Sequence, residues 1–402
     1  MRRWLQVAAA ATFINTSYGT MYYAFSVLVT RSGAGGEFGP GAVSLGFGLA
    51  LLVSGIAAIA AGTVADLGGS RRLMAGGAVL GAGGLALLAA CQEAWQMVAV
   101  MVLVIGPSMA ATFYEPVYVL MNRWFLPAER PRAYGVLTLL SGFSITIYTP
   151  LTRALVDGLG WRGAVIALGA ILLVVGTLVP AMLREPARPA PAAVPRSPRA
   201  FLGEAREGLR HGDAAFWAFS VAFFLATAAF SGFSFHMVAQ LETRGFDEDA
   251  VATAIAVTGL VSLPARLLLP MLTGRAPTVF LLSLCLGLLG AAAWLASSAS
   301  SWWQVWVYIA VFGAVFGAVY PLRALVTSER FAGPYFGRLI GAQALFVALG
   351  RAAGPIAIGA LGTSRDAYEL GFRISAGVLF VSAAACWLAM RRVQPLPQPT
   401  PA

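Results

Sequence analysis

The sequence predicts an all-α membrane protein with twelve transmembrane helices. Hydrophobic residues make up 59% of the 402-residue chain, and its mean hydropathy is +0.78. This apolar share exceeds the roughly 45–50% of soluble domains. The chain also contains twelve apolar runs that can each span a bilayer, which takes about 20 helical residues. The runs cover residues 4–30, 41–65, 73–92, 95–121, 133–156, 163–183, 214–240, 250–272, 278–299, 303–326, 339–361 and 372–390.

The arginines predict how these helices are oriented. All 27 basic residues are arginine. Of these, 18 fall on one side of the proposed spans, 5 fall on the other side and four lie inside the runs. Short loops rich in basic residues stay in the cytoplasm, so both termini are expected to be cytoplasmic. A nucleic-acid-binding protein would instead cluster its arginines on a soluble face.

A polar segment divides the chain into two halves. Residues 184–213 include REPARPAPAAVPRSPR, whose prolines prevent a continuous helix, and then EAREGLRHGD, which could form a short surface helix. We expect six helices in residues 1–183, a cytoplasmic linker at 184–213, six helices in residues 214–392 and a cytoplasmic tail at 393–402.

A charged motif and an internal repeat organise the chain. GTVADLGGSRR, at residues 62–72, places one carboxylate, three glycines and two arginines between the second and third runs. In addition, NRWFLPAERPRAYG in the first half matches RALVTSERFAGPYFG in the second, which aligns Gly135 with Gly337. An apolar run that ends in a Gly-rich turn with two arginines is typical of a cytoplasmic turn between two spans.

The motif resembles the loop between helices 2 and 3 of the major facilitator superfamily, written G-x-L-a-D-r-x-G-r-r. The residues in register with it are Gly62, Asp66, Gly69, Arg71 and Arg72. The resemblance implies two six-helix repeats that rock about a midplane site. It also implies that Asp66 lies near the start of helix 11, at residues 337–341, where the helix N-terminus is positive. There it would hold the cytoplasmic side shut.

Further motifs resemble the monocarboxylate-transporter branch and its bacterial relatives, which include oxalate/formate exchangers. They are NRWF with the following R-x-R-A-x-G, and GWR at residues 160–162. By this resemblance, Arg266 in VSLPARLLLP takes the place of the arginine that contacts the substrate carboxylate, and a guanidinium can bind a carboxylate bidentately. The alternative is a structural bond to a helical carbonyl or to Glu115. Ser262 stands where animal members have aspartate, and the lysine of their helix 1 has no counterpart.

Glu115, in ATFYEPVYVLMNRWF, is the candidate proton carrier. A desolvated carboxyl favours its protonated form, which suits that role, whereas the alternative is a fixed ion pair with Arg123 or another arginine of the cytoplasmic side. Because helices 1, 4, 7 and 10 line the cavity in the superfamily, further substrate-binding candidates follow from the resemblance. They are Tyr114 and Tyr118, which share a face with Glu115, Asn15 and Tyr22, which lie with Tyr18 at helical spacing, and Tyr320. These tyrosines could equally be interfacial anchors.

No cofactor, metal or catalytic centre is expected. The three cysteines lie inside apolar runs without C-x-x-C spacing, and the only histidines are His211 and His236. His236, near the outer end of the seventh run, is expected either to make a hydrogen bond at the rim or to sense pH. No role is assigned to three arginines inside the runs, Arg153, Arg323 and Arg351.

The predicted function is therefore secondary active transport of a small organic anion, a monocarboxylate such as lactate, by alternating access with proton coupling. The alternative is a carrier of a neutral or cationic metabolite or drug, in which Arg266 is structural. The expected partners are the lipid bilayer, the substrate anion and protons, without nucleic acid, and we expect a monomer that is not an enzyme. The lysine-free, Ala/Gly/Arg-rich composition is typical of GC-rich bacterial genes and indicates an inner membrane.

Overall fold

The computed structural model describes residues 2–30, 33–184, 195 and 197–391, and their regular secondary structure is helical. The α-helices are α1 (Arg2–Tyr18), α2 (Phe25–Leu28), α3 (Ala34–Phe38), α4 (Pro40–Val64), α5 (Ser70–Ala90), α6 (Ala94–Val100), α7 (Gly106–Thr112), α8 (Tyr114–Trp124), α9 (Arg130–Gly142), α10 (Ser144–Met182), α11 (Pro198–Arg210), α12 (Ala214–Glu242), α13 (Glu248–Met271), α14 (Thr278–Ser297), α15 (Trp302–Phe331), α16 (Phe336–Gly359) and α17 (Arg365–Met390). Short π-helical turns cover Gly19–Tyr23, Ala65–Gly69 and Met101–Ile105, and 3-10 turns cover Pro127–Glu129 and Leu272–Gly274. The proline-rich part of the predicted linker and the predicted tail at 393–402 lie outside the described residues.

Over these described ranges, nine helical runs are long and apolar enough to cross a membrane. Two of them, Pro40–Ala90 and Pro127–Met182, are 51 and 56 residues long, more than twice the roughly 20 residues of one crossing. Each contains a break at a glycine with positive φ, Gly68 (90°) or Gly160 (70°), a conformation that costs glycine little. The chain is therefore a multi-pass membrane protein, and the number of twelve spans stays a prediction.

The helices present an apolar surface to their surroundings. Leu45, Ile56, Leu103, Leu178 and Val381 are all more than half exposed. A protein surrounded by water rarely exposes so many apolar side chains, whereas a protein surrounded by lipid tails does. Every backbone group of such a segment must be satisfied inside the helix, which is why the sequence folds into helices here.

The contacts divide the chain into two compact units. Unit 1 consists of Met1–Leu126, Val136–His211 and Ala332–Leu345, and unit 2 consists of Pro127–Gly135, Gly212–Phe331 and Phe346–Ala402. The main division, at residues 211–212, lies close to the predicted end of the linker. Unlike the predicted halves, the start of α9 belongs to unit 2 and the start of α16 belongs to unit 1.

Small residues let the helices of unit 1 approach closely. A Cβ added to Gly77 of α5 would lie 2.5 Å from the Cβ of Ala111 on α7, and one added to Gly81 would lie 2.4 Å from the Ser108 Oγ. That hydroxyl donates to the Gly77 carbonyl at 2.8 Å. Without a hydrophobic driving force between helices in lipid, such close packing and interhelical hydrogen bonds hold membrane helices together.

Unit 2 combines close backbone contacts with a phenylalanine-rich core. A Cβ added to Gly354 of α16 would lie 1.9 Å from the Ala228 carbonyl oxygen on α12, so these helices touch through their backbones. α12 also buries a series of aromatic side chains, which are Phe216, Phe219, Phe223, Phe230 and Phe233. The aromatic rings therefore fill the space that the small residues do not.

Side-chain caps fix where several helices begin. The side chains of Ser197, Asp213, Asp247 and Ser364 each accept a hydrogen bond from a backbone N–H in the first turn of α11, α12, α13 and α17, as N-cap residues do. The surface helix expected from EAREGLRHGD is α11, and it begins earlier than that segment because Ser197 and Pro198 form a favourable N-cap and first position.

Candidate functional site

The structure brings the aromatic candidates of unit 1 together. The ring of Tyr18 on α1 lies 5.2 Å from that of Tyr114 and is stacked on Phe113 at 3.9 Å, and Tyr114 is stacked on Tyr118 at 5.5 Å. Tyr22 joins through Tyr18 at 5.7 Å. Tyr18, Tyr22 and Tyr114 are half-buried, whereas Tyr118 and Phe113 are buried. We call these five residues the tyrosine cluster.

Asn15 lies one turn before Tyr18 and joins α1 to the following helices of unit 1. The Asn15 Nδ2 donates to the Leu140 backbone carbonyl oxygen at 3.3 Å, and the Asn15 backbone carbonyl oxygen accepts from the Ser144 Oγ at 2.6 Å. These bonds hold α1 in place beside the cluster. A role of Asn15 as a substrate ligand stays a prediction.

Two irregular helices meet at the tyrosine cluster. α1 continues into the π-helical turn Gly19–Tyr23, which contains Tyr22. On the other side, Phe113 is extended (φ −81°, ψ −159°) and separates α7 from α8. Pro116 explains this second break, because its ring cannot donate to the Thr112 carbonyl and would clash with it in a continuous helix.

Glu115 lies half-buried in the first turn of α8, directly after this break. A carboxylate is favourable at a helix N-terminus. Arg123, the predicted alternative partner, is eight residues further on, about 12 Å along the axis. Its Nη2 donates to the carbonyl oxygens of Ala65 at 2.8 Å and Asp66 at 3.2 Å. Arg123 therefore binds the turn of residues 65–69.

In unit 2, Arg266 lies on α13, five residues before the end of that helix, and it is half-buried. α15 approaches it closely, since a Cβ added to Gly317 would lie 2.2 Å from the Ser262 carbonyl oxygen and 3.0 Å from the Arg266 Cγ. The aliphatic part of Arg266 is thus held against α15.

Tyr320 contacts Arg351, for which no role was predicted. The Arg351 Nε on α16 donates to the Tyr320 hydroxyl at 3.1 Å, and the Arg351 Cζ lies 4.8 Å from the centre of the Tyr320 ring, within the range of a cation–π contact. The same helix as Tyr320 carries Arg323, which is 3% exposed and lies with its Cζ 5.6 Å from the Phe223 ring. Arg266, Arg323 and Arg351 thus lie in unit 2 on three different helices, α13, α15 and α16.

Asp66 caps the start of α16 inside unit 1. The N–H of Gly337 donates to Oδ1 at 2.7 Å and the N–H of Arg338 donates to Oδ2 at 2.9 Å, while the Arg338 Nε lies 3.9 Å from Oδ2. The first N–H groups of a helix have no partner within it, so a carboxylate is a favourable acceptor for them. Asp66 is 2% exposed. This is the place that the resemblance implied, and its gating role stays a prediction.

Gly62 allows this contact sterically. A Cβ on Gly62 would lie 1.9 Å from the Gly337 carbonyl oxygen, and one on Gly341 would lie 2.2 Å from the Ala58 carbonyl oxygen. α4 and the start of α16 therefore meet backbone to backbone over one helical turn. Small residues four apart on each helix make this possible.

The sequence did not identify the part of the linker that completes this contact. Glu204 on α11 accepts from the Arg338 Nη2 at 2.9 Å, and a Cβ on Gly208 would lie 2.0 Å from the Arg338 Cδ. His211 stacks on Tyr335 at 3.8 Å. Nothing in the sequence spacing connects α11 with residue 338, which is 134 residues from Glu204. We call Asp66, Arg338 and Glu204 the carboxylate–arginine contact.

The other motif residues have different surroundings. Arg71 donates from Nε to the Pro180 carbonyl oxygen at 2.7 Å and from Nη2 to that of Ala181 at 2.6 Å, so it caps the end of α10. Arg72 is exposed. Gly69 packs against Val64, whereas the glycine with positive φ is its neighbour, Gly68.

The two remaining polar candidates lie elsewhere. His236 Nε2 is 3.1 Å from the Pro355 carbonyl oxygen, a contact of the kind expected at the rim. Arg153 lies 3.7 Å from Asp157, with the side chains 67% and 60% exposed. An exposed pair of this kind contributes little, about 0–1 kcal/mol.

The comparison with known families identifies the chain. A model of the Major Facilitator Superfamily matches residues 7–293, more than half of the chain. The chain belongs to the major facilitator superfamily. It is thus a transporter and not an enzyme, and the predicted resemblance to this superfamily is confirmed.

Individual relatives agree with this assignment. The chain is 32% identical to human monocarboxylate transporter 11 over 192 residues. This match covers 46% of the present chain and 39% of the human protein. The matched part is thus well under half the length of that relative. The fold is similar to the crystal structure of the human organic anion transporter MFSD10 (TETRAN), with a TM-score of 0.71 at 14% identity, covering 96% of this chain and 99% of that one. It is also similar to the fucose:proton symporter FucP of E. coli, with a TM-score of 0.69 at 12% identity over 94% and 97% of the two chains.

Proposed function

We propose that this superfamily member is a secondary active transporter of a small organic anion, a monocarboxylate such as lactate, that works by alternating access. In this proposal Arg266 binds the substrate carboxylate and Glu115 carries the coupled proton. The protein acts as a monomer in a bacterial inner membrane, with both termini in the cytoplasm.

The charge inside the membrane helices supports an anionic substrate. The central stretches of the second-half helices, residues 216–240, 251–271, 279–297, 303–327, 339–359 and 374–390, contain Arg266, Arg323 and Arg351 and no acidic residue. Charged residues at membrane depth are costly, about 2.5–3.5 kcal/mol or more at a helix centre, and such residues line substrate or ion pathways. A surplus of positive charge at that depth is favourable for binding an anion.

The curated relative supports the choice of a carboxylate. The matched protein is named a monocarboxylate transporter, and at 32% identity the similarity extends beyond the fold. A planar guanidinium such as that of Arg266 can form two parallel hydrogen bonds to a carboxylate.

Glu115 is the proposed proton carrier because it is the only acidic residue in the central stretches of five first-half helices, which are residues 41–64, 73–90, 95–121, 133–156 and 163–182. Asp66, Glu93 and Asp157 lie just outside these stretches. Its position next to the break at Phe113 places it beside the tyrosine cluster. A carboxyl that alternates between protonated and ionised forms couples proton movement to substrate movement.

One observation favours the alternative, a neutral or cationic substrate. The half-buried rings of Tyr18 and Tyr114 contact each other, and Tyr114 directly precedes Glu115 in the chain. Aromatic faces with a nearby carboxylate attract cations. In that case Arg266 would be structural.

The deciding experiment is uptake of labelled lactate and pyruvate by proteoliposomes, with and without an inward proton gradient. We expect saturable, gradient-stimulated uptake by the wild type and at least a tenfold loss in Arg266→Ala. Arg153→Ala is the matched control, because the Arg153 side chain is 67% exposed and pairs with the exposed Asp157. Glu115→Gln should retain exchange of substrate across the membrane and lose accumulation driven by the gradient.

Normal carboxylate uptake by folded Arg266→Ala, or transport of a cation in place of any carboxylate, would contradict this proposal. The membership of the superfamily would be unaffected, and the substrate would be sought among neutral or cationic metabolites.

A further inference from the structure

The tyrosine cluster is larger than lactate requires. Lactate offers one methyl group as its apolar part, whereas Tyr18, Tyr22 and Tyr114 present three half-buried rings in one place. We infer that the preferred substrate is a carboxylate with an aromatic ring, and that the tyrosine cluster binds this ring. This inference rests on the proposed function, because it specifies which group the transported monocarboxylate carries besides its carboxylate.

The ring geometry matches aromatic recognition. The rings of Tyr114 and Tyr118 are nearly parallel, 18° apart, at 5.5 Å, and those of Tyr18 and Tyr114 are tilted by 54° at 5.2 Å. Aromatic pairs prefer such offset or tilted arrangements with centroids about 4.5–7 Å apart. Phe113 and Tyr118 are buried, and they stack on Tyr18 and Tyr114 respectively, so they support these two rings.

The backbone around the cluster is irregular in a way that ordinary helix packing does not need. The π-helical turn Gly19–Tyr23 and the break at Phe113 both lie at the cluster. π-helical turns within α-helices are frequent at functional sites, and interrupted membrane helices form the substrate sites of many transporters. Two independent irregularities at one group of aromatic side chains therefore mark a binding site.

The residue type is also informative. Within apolar helices, phenylalanine would fill the same space without a hydroxyl, as it does along α12. A tyrosine hydroxyl at membrane depth requires a polar partner or water. The four tyrosines of the cluster therefore combine aromatic faces with polar edges, unlike the phenylalanines of α12.

The experiment compares lactate with 3-phenyllactate, which is lactate carrying a phenyl ring on its methyl carbon. Concentration-dependent uptake of each labelled acid is measured in proteoliposomes for the wild type, Tyr18→Leu, Tyr18→Phe, Tyr114→Leu and the control Phe143→Leu. Phe143 is an exposed aromatic residue of unit 1 that lies outside the cluster. Labelled choline tests the cationic alternative.

We expect the wild type to reach half-saturation at a lower concentration of phenyllactate than of lactate. Loss of one aromatic contact, about 0.5–1.5 kcal/mol, should raise the half-saturation concentration of phenyllactate about two- to tenfold in Tyr18→Leu and Tyr114→Leu, with little effect on lactate. Phe143→Leu should resemble the wild type, and Tyr18→Phe, which keeps the ring and removes only the hydroxyl, should keep the lower half-saturation concentration for phenyllactate than for lactate.

Uptake of lactate without phenyllactate would overturn this inference while leaving the proposed function intact. Equal loss of both acids in Tyr18→Leu, with the protein still folded by size-exclusion chromatography, would also overturn it, because the ring would then be structural. Uptake of choline and of neither acid would overturn the inference together with the proposed function.

Discussion

Two corresponding regions of the internal repeat are built differently. In unit 1, the start of α16 meets the end of α4, and a Cβ on Gly62 would lie 1.9 Å from the Gly337 carbonyl oxygen. In unit 2, the start of α9 meets the end of α13, and a Cβ on Gly135 would lie 3.2 Å from the Leu267 Cα. The aligned glycines Gly135 and Gly337 thus both face a neighbouring helix, but the contact in unit 1 is much closer.

The polar groups differ as well. Asp66 accepts two backbone N–H bonds from the first turn of α16, whereas Arg130 at the start of α9 donates from Nη1 to the Ser328 Oγ at 3.1 Å. Both contacts include a charged group, the Asp66 carboxylate or the Arg130 guanidinium, and hydrogen bonds of this kind contribute about 1.5–3 kcal/mol each. The two regions of the repeat therefore share the aligned glycine, Gly135 or Gly337. The region in unit 1 also has a buried carboxylate, Asp66, at the start of α16.

The largest effect is expected from Gly62→Ala. The added Cβ would overlap a backbone carbonyl that cannot rotate away, and overpacking of this kind costs about 1–3 kcal/mol or more. We expect the α4–α16 contact to open, with a lower melting temperature in detergent and strongly reduced transport. Gly135→Ala is the matched control, because its neighbour needs to shift by only a few tenths of an ångström and the gain from replacing glycine, about 0.4–1 kcal/mol, offsets this. Equal effects of Gly62→Ala and Gly135→Ala would show that the closer helix–helix contact at Gly62 matters neither for stability nor for transport.

An intermediate effect is expected from Asp66→Asn. The amide cannot accept both N–H bonds of Gly337 and Arg338 and has no charge to face the helix start. A single reporter cysteine, Ala344→Cys on the half-buried part of α16, should therefore react with a thiol reagent about tenfold faster or more. The natural cysteines Cys91, Cys285 and Cys386 are buried, so the background is low.

Ser328→Ala is the control for that measurement, because it removes the bond from Arg130 in the other region. It should leave the labelling rate of Ala344→Cys unchanged. An unchanged rate in Asp66→Asn would remove the proposed role of Asp66 in closing the side predicted to be cytoplasmic.

The smallest effect is expected from Glu204→Gln. Glu204 is 43% exposed in its pair with the buried Arg338, and a partly exposed ion pair contributes about 0.2–1 kcal/mol. Labelling of Ala344→Cys should rise about twofold to fivefold. Glu207→Gln, which removes an exposed pair with Arg210 on the same helix, should have no effect, and equal effects of the two would indicate that α11 acts through its overall charge.

Several features of the fold and site were predictable because local chemistry determines them. The apolar runs from 214 to 240 and from 278 to 299 correspond to α12 and α14 within a few residues, since only helices satisfy backbone groups in lipid. The motif of residues 62–72 led to the family, and the resemblance to that family implied the place of Asp66 near the start of α16. Pro116 in the sequence accounts for the break at Phe113. The contact between Tyr18 and Tyr114 at this break could not be read from the sequence.

The sequence by itself determined that this chain is an all-helical membrane transporter of the major facilitator superfamily, because hydropathy, arginine placement and the Asp66 motif are local properties of the chain. Only the tertiary structure decided which distant side chains meet. Three contacts join residues that are 31 to 134 positions apart in the chain. They are the hydrogen bond from Arg338 to Glu204, the hydrogen bond from Arg351 to Tyr320, and the ring contact of Tyr18 with Tyr114. No spacing rule covers such pairs, because helix–helix packing sets them through the close approach of small residues.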